Sequence, residues 1–75
     1  MKNCLTIAGS DCSAGAGIQA DIKAMSACGV YAMSVITSVV AENTSRVVSV
    51  YDLPDEVIKQ QIDAVFEDIS VDGVK

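Results

Sequence analysis

The residues best suited to chemistry fall in two places. The first is the loop Gly9-Ser10-Asp11-Cys12-Ser13-Ala14-Gly15-Ala16-Gly17, where small residues let a ligand approach the backbone, Asp11 offers a carboxylate, and Cys12 offers a thiol. The second is Glu42, within Val40-Ala41-Glu42-Asn43-Thr44. A Walker P-loop requires G-x-x-x-x-G-K-[ST], because the lysine must reach the β- and γ-phosphates and the hydroxyl must hold magnesium. Ala14 stands five positions after Gly9 and no lysine follows it, so that motif is absent. A phosphatase-type thiolate on Cys12 needs a cation close by to depress its pKa. The nearest that follows it along the chain is Lys23, on the next helix, which argues against that chemistry. Gly15-Ala16-Gly17-Ile18-Gln19-Ala20 does fit the dinucleotide pattern G-x-G-x-x-[GA], and Glu42 follows at the distance of a ribose ligand. That fingerprint should begin almost directly after a strand, whereas here Gly9 to Ala14 intervenes. Plain structural roles compete with each reading. The glycines serve a tight strand-to-helix turn, Asp11 and Ser13 are favoured helix caps, and the competing reading of Glu42 is a solvated loop carboxylate, although its position favours function.

The elements that must hold these residues are legible in the hydrophobic pattern. Asn3 to Ala8 is a short apolar run stopping at Gly9, the pattern of a buried first strand. After the loop, Ile18, Ile22 and Met25 recur on one face, which predicts a helix to about Cys28. Gly29 stands where a left-handed C-terminal cap is wanted. Met33 to Val40 is rich in β-branched residues and reads as a second buried strand, which puts Glu42 just past its carboxyl end, where ligands of open α/β sheets bind. Val47 to Tyr51 is a shorter third strand, and Pro54 is expected at the first position of a second helix. In that helix Ile58, Ile62, Val65 and Ile69 form one apolar stripe, with Lys59, Gln60, Asp63, Glu67 and Asp68 on the wet side. Val71 to Lys75 resumes a strand pattern. The β-α-β-β-α-β series predicts an α/β fold with a parallel sheet, one of whose layers is incomplete, so the 75 residues are expected to be a fragment of a larger domain.

Composition narrows the partners. A net charge of −5 with only five Lys and Arg residues supplies no electrostatic footprint for nucleic acid or an anionic membrane. The apolar runs are short of the ~20 residues a membrane span needs, and no cleavable signal precedes the first strand, so the expected address is the cytoplasm. Cys4, Cys12 and Cys28 lack zinc-site or C-x-x-C spacing and read as reduced thiols.

Thr6-Ile7-Ala8-Gly9-Ser10-Asp11, Gly15-Ala16-Gly17-Ile18-Gln19-Ala20-Asp21-Ile22-Lys23, Gly29-Val30-Tyr31 and Ser34-Val35-Ile36-Thr37 closely resemble the start of the hydroxymethylpyrimidine/phosphomethylpyrimidine kinases of thiamine biosynthesis. The resemblance continues through Val40-Ala41-Glu42-Asn43-Thr44, Gln61-Ile62-Asp63-Ala64-Val65 and Val71-Asp72-Gly73-Val74-Lys75, in order and at family-like spacing. It implies a ribokinase-like fold, of which residues 1–75 are the N-terminal portion of a single domain. It further implies transfer of the ATP γ-phosphoryl group to the pyrimidine's hydroxymethyl and then to the monophosphate, with Mg2+ as the accompanying ion.

The resemblance assigns Ala16, Val40 and Glu42 to the pyrimidine pocket, with Gly9 and Asp11 on the same substrate side. A 4-aminopyrimidine edge pairs an amino donor with a ring nitrogen, and a carboxyl sharing one proton with that nitrogen makes two hydrogen bonds to it. The family usually reads Asp-Pro-Ser-Gly-Gly-Ala-Gly in the loop. This chain has Cys12 for the proline and Ala14 for the first glycine, so Ala14 is expected to be strained if that position needs a positive φ. The family's catalytic base and most of its ATP site lie in a late Gly-Thr-Gly-Cys-like segment, and no catalytic residue is assigned within residues 1–75. A pyridoxine or pyridoxal kinase of the same fold, the dinucleotide-binding module, and a non-catalytic module whose sheet a second copy completes as a homo-oligomer are the alternatives.

Overall fold

The computed structural model describes every residue from Met1 to Lys75. Its elements follow in the order β1 (Asn3–Asp11), α1 (Gly17–Ala27), β2 (Tyr31–Glu42), β3 (Val47–Asp52), α2 (Asp55–Asp68) and β4 (Gly73–Val74). They form one four-stranded sheet in the order β3-β2-β1-β4.

The alternation of side chains along β1 and β2 separates the two helices. Leu5 pairs with Met33 and Ile7 with Val35 in the parallel β1–β2 ladder, so these odd-numbered residues share one face. On that face Leu5, Met33 and Val35 form the buried core, and Ile58, Ile62, Val65 and Ile69 of α2 pack against it together with Ile7 and Val71. The apolar stripe read from the sequence is thus the buried side of α2. Thr6 points to the other face, where its hydroxyl donates to Asp21 Oδ2 on α1 at 2.6 Å. Asp21 Oδ1 accepts from Lys75 Nζ at 2.5 Å, so one carboxylate ties β1, α1 and the residue after β4. The Lys75 ammonium and the Thr6 hydroxyl hold the Asp21 carboxyl below the usual carboxylate range.

Helix ends follow local chemistry. Gly29 adopts φ 79 and donates to Ser26 O, while Val30 donates to Met25 O. This is the Schellman arrangement that the glycine predicts. Pro54 is the N-cap of α2 and Asp55 its first residue, one position later than expected. The proline keeps an extended ψ of 146, and its carbonyl accepts from Val57 and Ile58.

Four strand expectations are corrected. β3 runs antiparallel to β2, so the sheet is mixed rather than wholly parallel. Only Asn43 to Arg46 separates the strands, far too little for a crossover, which takes about a dozen residues or more. Asn43 Oδ1 builds that turn by accepting from the Ser45 and Arg46 N–H groups at 2.8 and 3.0 Å. β1 also continues past Ala8 to Asp11, through an irregularity between Ala8 and Ser10. Gly9 permits it, since a Cβ there would lie 2.6 Å from Ser38 Oγ. β2 correspondingly reaches Glu42, which is its last residue rather than the one beyond it. β4 is narrower than Val71 to Lys75, although Asp72 and Lys75 still donate to Asn3 O and Leu5 O.

Candidate functional site

β1 and β2 end side by side, and their carboxyl ends bring together the residues singled out in the sequence. Asp11 stands opposite Val40 in the ladder, and Glu42 lies two residues further along β2. Gly9 lies within the same end of β1, and Ala16 is the N-cap of α1, joined to Asp11 by a hydrogen bond. All five sequence-predicted residues therefore share one end of one strand pair. They line an open ledge rather than an enclosed cavity in residues 1–75.

Asp11 organises the loop. Its Oδ1 accepts from the Ser13 N–H at 2.8 Å and the Ser13 hydroxyl at 2.6 Å, and its Oδ2 from the Gly15 and Ala16 N–H groups at 3.0 and 2.9 Å. Its own N–H donates to Gln19 Oε1 at 2.8 Å, and its carbonyl accepts from Ala14. The bonds from the Ser13 hydroxyl, and from the Ser13, Gly15 and Ala16 amides, hold the Asp11 carboxyl below the usual range against the opposing effect of burial. Asp11 thus binds the amides leading into α1 rather than those of its first turn, and it differs from the N-cap alternative in that respect. The same bonds spend the loop's N–H groups on an internal carboxylate. An anion bound from outside would have to displace Asp11.

Loop conformation explains the small residues. Gly17 has φ 59, and a Cβ on it would collide with the Gly9 carbonyl oxygen. Ala14 has φ 67, the strained left-handed conformation expected where the family has glycine. Lys23 from α1 donates to the Ala14 carbonyl at 2.9 Å, which helps hold that turn.

Glu42 is in the opposite situation from Asp11. Burial first, then the negative charge of Asp11 and a hydrogen-bonding contact with it, push the Glu42 carboxyl above its ordinary pKa. When it holds its proton, a carboxyl so placed presents one donor and one acceptor in the same plane.

Two participants had no reading of this kind in the sequence. Gln19 reaches back from α1 to the Asp11 amide, and Cys12 Sγ lies 3.0 Å from Glu42 O and 3.3 Å from Glu42 N. Neither contact has a spacing signature: the first depends on how the loop folds α1 back toward the end of β1, and the second joins segments that the parallel β1–β2 pairing brings together.

Comparison with known proteins identifies the family. The family profile described as Phosphomethylpyrimidine kinase matches residues 11–75. This chain belongs to the phosphomethylpyrimidine kinase family. It is 53% identical over 73 residues to the hydroxymethylpyrimidine/phosphomethylpyrimidine kinase of Salmonella typhimurium, covering 97% of this chain and 27% of that protein. The crystal structure of phosphomethylpyrimidine kinase from Clostridium difficile superposes with a TM-score of 0.96 at 58% identity, over 99% of this chain and 32% of that one. The pyridoxal kinase of Staphylococcus aureus in complex with AMP-PCP and pyridoxal gives a TM-score of 0.87 at 37% identity, over 99% of this chain and 28% of that one. The fold of this phosphomethylpyrimidine kinase family chain is therefore the ribokinase-like α/β fold, and it spans about a third or less of its relatives.

The residues present do not fit the nucleotide or its metal. No group of three His, Cys, Asp or Glu side chains is gathered to hold an ion, and the loop amides that might have met a phosphate are bonded to Asp11. No helix is long and apolar enough to cross a membrane.

Proposed function

We propose that residues 1–75 form the substrate-side, N-terminal part of a single ribokinase-like domain. In this reading the domain phosphorylates 4-amino-5-hydroxymethyl-2-methylpyrimidine and then its monophosphate. The observation that carries the proposal is the position of Glu42 at the carboxyl end of β2, two residues beyond the Asp11–Val40 pair and beside the Asp11 loop. Protonated Glu42 donates its O–H to a ring nitrogen and accepts from the neighbouring amino group, a pairing that reads the aminopyrimidine edge. Val40 and Ala16 supply apolar contact on either side of that edge. Gly9 lets the end of β1 pass close to Ser38, and Asp11 shapes the loop and, after burial, adds to the bias of Glu42 toward its protonated form. ATP would be the phosphoryl donor and Mg2+ its accompanying ion. Both belong, in this reading, with a segment outside residues 1–75, and no catalytic residue is assigned within them. The small-molecule reaction is assigned to the cytoplasm.

The Staphylococcus aureus pyridoxal kinase likeness favours one second reading, a vitamin B6 kinase. A hybrid enzyme in which residues 1–75 replace the corresponding segment of the Clostridium difficile kinase tests both. The pyrimidine alcohol is expected to be turned over with the higher kcat/KM, and Glu42→Ala is expected to abolish that preference. Faster turnover of pyridoxal, undiminished by Glu42→Ala, would reverse the assignment.

A further inference from the structure

We propose that Cys12 is a positioning residue that fixes the backbone from which Glu42 projects. Its functional consequence rests on the pyrimidine-binding reading of Glu42, whereas its structural basis does not. The last register pair of the β1–β2 ladder is Asp11 with Val40, and beyond it the main chain of β1 turns away into the loop. Cys12 is the first residue past that point. Its thiol donates to the Glu42 carbonyl at 3.0 Å, and its sulfur accepts from the Glu42 N–H at 3.3 Å.

A thiol has one hydrogen to give and lone pairs to accept with, and here both capacities go to one residue's peptide groups. The side chain thereby supplies the rung that the departing main chain of β1 no longer provides. The other cysteines have no such part. Cys4 lies within β1 beside Gly73, and Cys28 is the exposed C-cap of α1.

Because thiol hydrogen bonds are weak, their loss changes local order around Glu42 more than global stability. A ligand held through two hydrogen bonds to one carboxyl is sensitive to that order, since the carboxyl must keep a fixed plane and depth. The effect therefore falls on substrate binding and leaves the phosphoryl-transfer step, carried by other residues, nearly untouched.

Two measurements on Cys12→Ala and Cys12→Ser test this. In the 75-residue chain, amide hydrogen exchange at Glu42 is expected to quicken by about tenfold in Cys12→Ala, with Val35 unaffected, and to return most of the way in Cys12→Ser. In the hybrid enzyme, Cys12→Ala is expected to raise KM for the pyrimidine about fivefold with kcat within about twofold of the parent, and Cys12→Ser to restore KM. Unchanged exchange at Glu42 in Cys12→Ala overturns the proposal, as does a fall in kcat at constant KM or a serine variant indistinguishable from alanine. Should the unsubstituted hybrid fail to phosphorylate the pyrimidine, the functional reading of Glu42 falls, and the exchange comparison still decides the role of Cys12.

Discussion

Asp11 and Glu42 bring two carboxyl groups together at the ends of neighbouring parallel strands, and their surroundings drive the two in opposite directions. Asp11 is ringed by the Ser13 hydroxyl and by the amides of Ser13, Gly15 and Ala16, all of which favour its charge. Glu42 meets burial and the resulting anion, both of which favour its neutral form. The surroundings thus push the two pKa values apart, holding Asp11 as the anion and biasing Glu42 toward its neutral form.

The first prediction concerns Glu42. Glu42→Gln keeps an N–H donor and a carbonyl acceptor in the geometry of the protonated acid, so it is expected to retain pyrimidine binding. Glu42→Ala is expected to weaken it by roughly 10- to 100-fold, the range for an unpartnered buried polar group. In the parent, affinity should fall as pH rises through the raised pKa of Glu42, and this fall should vanish in Glu42→Gln. Titration calorimetry on the hybrid enzyme across pH measures both. Equal pH dependence in parent and Gln variant would contradict the protonated-acid role.

Asp11 and Glu42 should also leave opposite marks on stability. The folded-state pKa of Asp11 is depressed, so its contribution is fully present above the ordinary aspartate range and is lost as pH falls through the depressed value. That of Glu42 is raised, so the folded state keeps a proton the unfolded chain has released. Stability then declines as pH rises from the ordinary glutamate range through the raised value. Asp11→Asn should remove the first effect, shrink the second and lower Tm by about 5 °C or more, because an amide nitrogen cannot accept from two of the present donors. Thermal unfolding of both chains from acid to neutral pH reads all three.

Ala14 offers a gain. Its φ of 67 is costly for a residue bearing a Cβ, so Ala14→Gly is expected to stabilise the chain by about 1 kcal/mol, less the extra entropy of an unfolded glycine. A denaturant midpoint that moves up at constant m supports it; a midpoint that moves down refutes it.

Gly17 and Gly29 separate strain from collision. Both have positive φ, but a Cβ on Gly29 meets nothing within 4 Å, whereas one on Gly17 strikes the Gly9 carbonyl. Gly29→Ala should cost about 1 kcal/mol, the conformational penalty alone, and Gly17→Ala more than about twice that, because the backbone of β1 must shift. Urea titrations of the two variants compare them directly, and similar costs would mean that the loop yields freely.

How much of this was legible before folding depends on the range over which each signal acts. Hydrophobic period, turn residues and helix caps are local, so the sequence alone determined the number and order of the elements, the buried stripe of α2 from Ile58 to Ile69 and the left-handed cap at Gly29. It also singled out Gly9, Asp11, Ala16, Val40 and Glu42, through loop composition and through motifs shared with relatives. The antiparallel course of β3 was within reach as well, since the four residues from Asn43 to Arg46 admit only a hairpin. What no local pattern carries is the consequence of setting two strand ends side by side. Tertiary structure alone decided that the Asp11 carboxylate would be saturated by its own loop, that its charge would raise the pKa of Glu42, and that Cys12 would pair with the Glu42 backbone 30 residues away. The reason is physical: hydrogen bonds and Coulomb interactions depend on distance in space, and at Cys12 and Glu42 that distance is set by the parallel β1–β2 register rather than by separation along the chain.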